Sequence, residues 1–129
     1  MMKLAVDLVI RRMDEVLFIK RKNDPFKGML ALPGGFVDED ESVTQAAIRE
    51  LFEETGVRIE ERDLRLIGVF SDVNRDPRGR VISVAYNCQV LSKTRARAGD
   101  DAAEVIWLPE FTALQIGLAF DHALILLTA

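Results

Sequence analysis

Three glutamates, Glu50, Glu53 and Glu54, stand at i, i+3 and i+4 in a stretch without helix breakers. On a helix turning about 100° per residue, Glu54 lies near 40° and Glu53 near 300° from Glu50, so the carboxylates share an arc of roughly 100°. Like charges so placed repel by a few tenths of a kcal/mol per pair, a cost that a hard divalent cation with oxygen ligands reverses. The spacing therefore predicts bound Mg2+, with Mn2+ as the alternative. Arg49, four residues before Glu53, can pair with it and orient that carboxylate. Gly34 and Gly35 lie a short loop upstream, where carbonyls can reach a metal and N–H groups a phosphate, and Glu41 sits just outside the helix N-terminus with its favourable dipole. Between Asp38 and Asp63 there are ten acids against three arginines. The competing reading of such a run is a solvated helix face. A calcium loop is excluded, since it would need Gly at Val43 and Glu at Arg49.

The elements that must carry these groups are legible from period and punctuation. Ser42 followed by Gln45 forms a capping box, and Gly56 occupies the left-handed C′ position, which frames a helix from Val43 to Thr55. Ala47, Ile48, Leu51 and Phe52 fill the arc beside the glutamates, from about 60° to 200°, and would seat the helix on a core. Leu4–Arg11 and Val16–Lys20 read as a β-hairpin. Leu64–Val73 and Arg80–Leu91 read as strands joined by Asp76-Pro77-Arg78-Gly79, whose residue types suit a type I turn. In the second of these strands Ile82, Val84, Tyr86, Cys88 and Val90 share one face, which makes Cys88 a core residue. Lys93–Ala103 reads as a polar loop, Glu104–Leu108 as a short strand, and Pro109 as the start of a helical segment. Phe120, Ala123, Leu124 and Leu127 mark a C-terminal amphipathic helix, on which His122 is expected to be structural. Strands and helices mix irregularly, so the fold class expected is α/β, a mixed sheet between helices.

A second cluster, Arg75, Arg78 and Arg80, surrounds the tight turn. Guanidinium groups read phosphate oxygens bidentately, so the three form a candidate clamp, against the alternative of a solvated hairpin tip. Pro77 and Gly79 should set the turn without help from arginine. The 129 residues suit a single domain, 49% hydrophobic residues can fill its core, and a net charge of -4 argues against a nucleic-acid partner. A lone cysteine and the lack of a signal-peptide layout favour a cytoplasmic location. Asp121 and His122 interrupt the only long apolar stretch, so no membrane span is expected.

Gly35, five residues, Glu41, seven residues, then Arg49-Glu50-Leu51-Phe52-Glu53-Glu54-Thr55-Gly56-Val57 match every fixed position of the Nudix box. The chain thus resembles the Nudix hydrolases. The resemblance implies an α/β/α sandwich, one domain over residues 1–129 with the box at 35–57, and Mg2+-dependent hydrolysis of a nucleoside diphosphate linked to another group. The segments 32–37, 70–86 and 120–123 are similar to those of small prokaryotic ADP-ribose pyrophosphatases, which implies cleavage of ADP-ribose to AMP and ribose 5-phosphate. By the same resemblance Glu50, Glu53, Glu54 and Glu41 would serve the metal, with a carbonyl of Gly34 or Gly35. Gly35 and the three hairpin arginines would serve the substrate. Glu53 and an acid of the Gly99–Glu104 loop (Asp100, Asp101 or Glu104) compete as general base. Phe26 and Trp107 are either packing residues or adenine platforms. A nucleotide-sanitising triphosphatase and a non-hydrolytic ADP-ribose-binding module remain the rival readings, the intact box arguing against the second. The expected partner is a small-molecule nucleotide, and a homodimer is admissible.

Overall fold

The computed structural model describes residues 1–99 and 101–129. Seven strands and three helices follow the order β1 Lys3–Arg12, β2 Glu15–Arg21, β3 Leu30–Ala31, β4 Gly34–Phe36, α1 Val43–Thr55, β5 Arg65–Phe70, β6 Val81–Gln89, β7 Ala102–Pro109, α2 Glu110–Ile116 and α3 His122–Thr128. The sheet runs β3-β2-β1-β6-β5, with β4 paired to β1 and β7 to β2. β1 and β6 are parallel from Lys3 opposite Val81 to Arg11 opposite Gln89, whereas the other pairs are antiparallel. The mixed sheet between helices is therefore as expected.

The central position of β1 explains its composition. Ala5 to Ile10 are all buried, because α1 covers one face of the sheet and α2 and α3 the other. Val6, Leu8 and Ile10 pack with Ala46, Ala47 and Leu51 of α1. Val9 packs with Ile125 and Leu126 of α3. Asp7 interrupts this run and is itself buried.

α1 has the expected limits. The Ser42 side chain accepts from the Gln45 N–H, the Gln45 side chain accepts from the Ser42 N–H, and Gly56 has φ 73° with its N–H donated to Phe52 O. The hairpin turn also forms, the Gly79 N–H donating to Asp76 O at 3.3 Å. β6 keeps Tyr86, Cys88 and Val90 on the expected face and covers the opposite face as well. Ser83 and Ala85 are fully buried toward the α3 side, while Tyr86, Cys88 and Val90 pack toward α1, since a strand flanked on both sides within a covered sheet has no solvent face. Burial pushes the Cys88 thiol up to about 11, which fits a packing residue. β7 starts at Ala102 rather than Glu104, because the strand pairs with β2 along its whole length. α3 starts at His122 rather than Phe120, whose φ of 52° breaks the helical path. Among the described residues no helix is long and apolar enough to cross a membrane.

Candidate active site

A pocket of about 350 Å3 opens where β4, the Glu50–Glu54 side of α1, the 75–78 turn and the start of α3 meet. One wall is acidic. The Glu54 carboxylate is 5% exposed and accepts the Gly34 N–H at 2.8 Å. Burial, added to repulsion from Glu50, Asp7 and Asp101, pushes its pKa up to about 8 despite that hydrogen bond. Burial likewise raises Glu50, whose carboxylate fills the space a Cβ on Gly35 would need, 2.6 Å from its Oε1. Glycine at 35 thus leaves the Glu50 carboxylate its place between β4 and α1. At Gly34 a Cβ would strike the Val6 carbonyl.

Arg49 ties this wall together. Its Nη1 donates to Glu50 and to Glu53, each at 2.9 Å; Nε and Nη2 donate to Glu41 at 2.9 and 2.6 Å; and Nη2 also reaches Phe36 O at 3.1 Å. The Glu41 carboxyl is held below its usual range by this guanidinium. The pairing of Arg49 with Glu53 is the one read from their spacing. Convergence of the three glutamates on one point is not found. Glu53 is exposed and lines a shallow cleft with Phe52, Arg97 and Gly99, while Glu50 and Glu54 line the pocket. Among the described residues no three Asp, Glu, His or Cys side chains are grouped closely enough to hold one ion. The reason is local. Arg49 engages Glu41, Glu50 and Glu53, and the Gly34 N–H engages Glu54. The donor chemistry nevertheless fits a hard cation. Glu50 and Glu54 are partly desolvated carboxylates, both raised by burial and by the charge of Asp101 across the same pocket, a negative excess answered by a divalent ion.

Asp101 reaches the pocket because the segment before it docks on the end of α1. The Arg97 and Gly99 N–H groups donate to the open carbonyls of Thr55 and Glu54, each at 2.9 Å. Glu104 lies outside, 3.4 Å from Lys20 Nζ in an exposed pair. Asp100, the other acid of that loop, lies outside the described residues.

The arginines divide. Arg75 is buried, with Nε and Nη2 donating to Asp121 at 2.9 and 2.7 Å and Nη2 3.7 Å from Asp7. It lines the pocket, yet most of its fork is committed to bolting the hairpin onto Asp121 at the start of α3, so arginine docks the hairpin although the turn itself closes between Asp76 and Gly79. Arg78 pairs with Asp76 at 2.8 Å and lies over Phe36 and Phe120, 5.2 and 5.5 Å from the ring centroids. Arg80 contributes only a 3.5 Å contact to Asp72 O and does not line the pocket. His122 accepts the Leu32 N–H at Nδ1 and faces Asp7 Oδ1 from Nε2 at 3.3 Å. Its proton then sits on Nε2, a structural tautomer that fixes the strand leading to Gly34. Phe26 packs edge-on against Phe120, centroids 4.7 Å apart, and Trp107 lies beneath Arg12 at the edge of the α1 core.

Sequence reasoning passed over Asp7, Arg21, Phe36 and Phe120 as parts of the pocket. Asp7 left a signal, a lone acid inside an apolar run. Phe36 and Phe120 lie in the segments 32–37 and 120–123 that carry the resemblance, which marked the segments and not these side chains, and Arg21 left no signal, because its place depends on how β2 meets the rest of the fold.

The NUDIX domain family matches residues 1–127. The chain is 48% identical over 120 residues to an ADP-ribose pyrophosphatase of Methanocaldococcus jannaschii, covering 92% of this chain and 67% of that one. Among solved structures, a MutT/nudix family protein from Enterococcus faecalis superposes with a TM-score of 0.91 at 35% identity, covering 100% of this chain and 61% of that chain. The NUDIX domain of Shewanella oneidensis NrtR, complexed with ADP ribose, gives 0.89 at 32% identity, covering 99% and 86%. The chain spans between about a half and two thirds of the length of the curated relatives it matches first. Likeness that runs from the first strand into the last helix, and so takes in every wall of the pocket as well as the box, leaves one assignment: the chain belongs to the Nudix family.

Proposed function

We propose that this chain hydrolyses the diphosphate of ADP-ribose to AMP and ribose 5-phosphate, using Mg2+, with Mn2+ as a substitute. The observation that carries the reading is the division of the pocket, with Glu50, Glu54 and Asp101 on one wall and the Arg78 guanidinium over Phe36 and Phe120 on the other. A diphosphate bound by a cation answers both walls at once. The choice of ADP-ribose is supported by the pyrophosphatase relative and by the NrtR domain that binds it.

Glu50 and Glu54 would hold the metal, with Glu53 joining when its carboxylate leaves Arg49. Bound there, the metal would neutralise phosphate charge and lower the pKa of a water. Arg49 keeps Glu50 in place through their 2.9 Å hydrogen bond and so orients the acidic wall. Arg78 would donate to phosphate oxygens as charge builds on the leaving group. Asp101, exposed at the pocket rim and not paired with a cation among the described residues, would take a proton from the attacking water. The Gly34 N–H holds Glu54 in position.

Substrate choice is tested by comparing kcat/KM for ADP-ribose and dGTP in Mg2+. A pocket with room for a second ribose should favour ADP-ribose by at least about tenfold, because the extra contacts lower its transition state selectively. A preference for dGTP would replace this reading with a nucleotide-sanitising one.

A further inference from the structure

Arg21 ends β2 at a register irregularity against β7, between Lys20 and Arg21. Such irregularities re-aim side chains, and this one lines the pocket. Its Nε donates to Pro25 O at 2.7 Å, and its guanidinium lies over the Phe120 ring, 4.9 Å from the centroid. Arg78 lies over the same ring at 5.5 Å. Two cations therefore share one aromatic ring.

Their charges are not equally answered. The other two arginines of the pocket each have a carboxylate, Arg75 with Asp121 at 2.7 Å and Arg78 with Asp76 at 2.8 Å. Among the described residues Arg21 has no carboxylate within 4.0 Å. Half-burial and the neighbouring Arg78 charge both work against its cation. A guanidinium kept in such a place, with Nη atoms that donate to no described residue, is a positive site awaiting an anion.

We infer that Arg21 is a substrate-binding residue that, with Arg78, forms a paired guanidinium seat for the diphosphate oxygens of the nucleotide, with the Phe120 ring as its floor. A diphosphate fits better than a single carboxylate for two reasons. It offers oxygens enough for the two Nη atoms of Arg21 and for Nη1 of Arg78, which the Nε and Nη2 bonds of Arg78 to Asp76 leave over, and it can accept a cation on its far side, where Glu54 and Asp101 lie within electrostatic reach of Arg21. The inference rests on the reading of this pocket as a diphosphate site and adds a residue that neither the box nor the hairpin contains.

The test is calorimetric binding of magnesium imidodiphosphate, a non-hydrolysable diphosphate, and of adenosine, which has no phosphate, to the wild type, Arg21→Gln, Arg21→Lys, Arg78→Gln and the double variant Arg21→Gln with Arg78→Gln. Loss of a charge-assisted hydrogen bond should weaken imidodiphosphate by at least about tenfold in Arg21→Gln, with partial retention in Arg21→Lys. Adenosine binding should be unchanged. The double variant should lose less than the product of the single losses, since both arginines hold one anion. Equal binding of imidodiphosphate by wild type and Arg21→Gln would overturn the inference. So would parallel loss of imidodiphosphate and adenosine, which would make Arg21 only the clasp of the Pro25 loop. If imidodiphosphate binding depends on Arg21 while ADP-ribose is not cleaved, the seat stands and the proposed substrate falls.

Discussion

Glu54 shows how one residue couples stability to chemistry. Its folded pKa of about 8 lies above the usual carboxyl value of 4.5. Holding its proton in the folded state, Glu54 contributes stability that is complete below about pH 4.5 and is lost as pH rises through about 8. In chelator, the melting temperature of the wild type should therefore fall between about pH 5 and pH 8.5 more steeply than that of Glu54→Gln. Mg2+ should lessen the difference. The same substitution, and Glu53→Gln, should lower kcat by about 10²-fold or more, because each removes, without changing shape, a carboxylate that would be ionised against bound Mg2+. Arg75 gives the opposite case. Removing a partner from a buried pair costs about 3–5 kcal/mol, so Arg75→Ala should melt far below the parent, whereas Arg80→Ala should melt within about 0.5 kcal/mol of it. Equal melts for these two variants would show that the Asp121 pair does not anchor the hairpin. The sequence told arginine from other types but not a bolt from a clamp, since that difference lies in Asp121, 46 residues away.

At the scale of elements, β4 and α1 make the site by approaching too closely for side chains. The two glycines of β4 differ in what they face. A Cβ at Gly34 would meet the Val6 backbone, which cannot yield, while a Cβ at Gly35 would meet the movable Glu50 carboxylate. Gly34→Ala should thus fail by unfolding. Gly35→Ala should fold with a near-native melt and lose at least about tenfold in kcat, as Glu50 is displaced. A fully active Gly35→Ala would mean that the position of Glu50 is not critical. α1 was readable to the residue because its signals are local, a cap at Ser42, a left-handed glycine at 56 and a 3.6-residue period between them. The strand faces of β6 were less so. Periodicity assumes one covered face, and the central sheet has two.

Taken whole, the molecule sets an acidic wall, built by α1 and Asp101, against a basic wall assembled from β2, the 75–78 turn and the loop before α3. The α1 part of the acidic half was legible because Glu50 and Glu54 are neighbours in sequence. Much of the basic half was not, because Arg21 and Phe120 are 99 positions apart and meet only through the fold. The same contrast explains why the spacing of Glu50, Glu53 and Glu54 pointed to a cation while it could not show Arg49 drawing Glu53 aside. Together these walls would cleave a metal-bound diphosphate, which is tested by release of AMP from ADP-ribose by the purified chain in Mg2+, in chelator, and in Mg2+ with Glu54→Gln. The expected result is AMP and ribose 5-phosphate in equal amounts in the first case, none above background in the second, and at least about a 10²-fold slower release in the third. ADP-ribose left intact in Mg2+, or cleaved equally well in chelator, would contradict it.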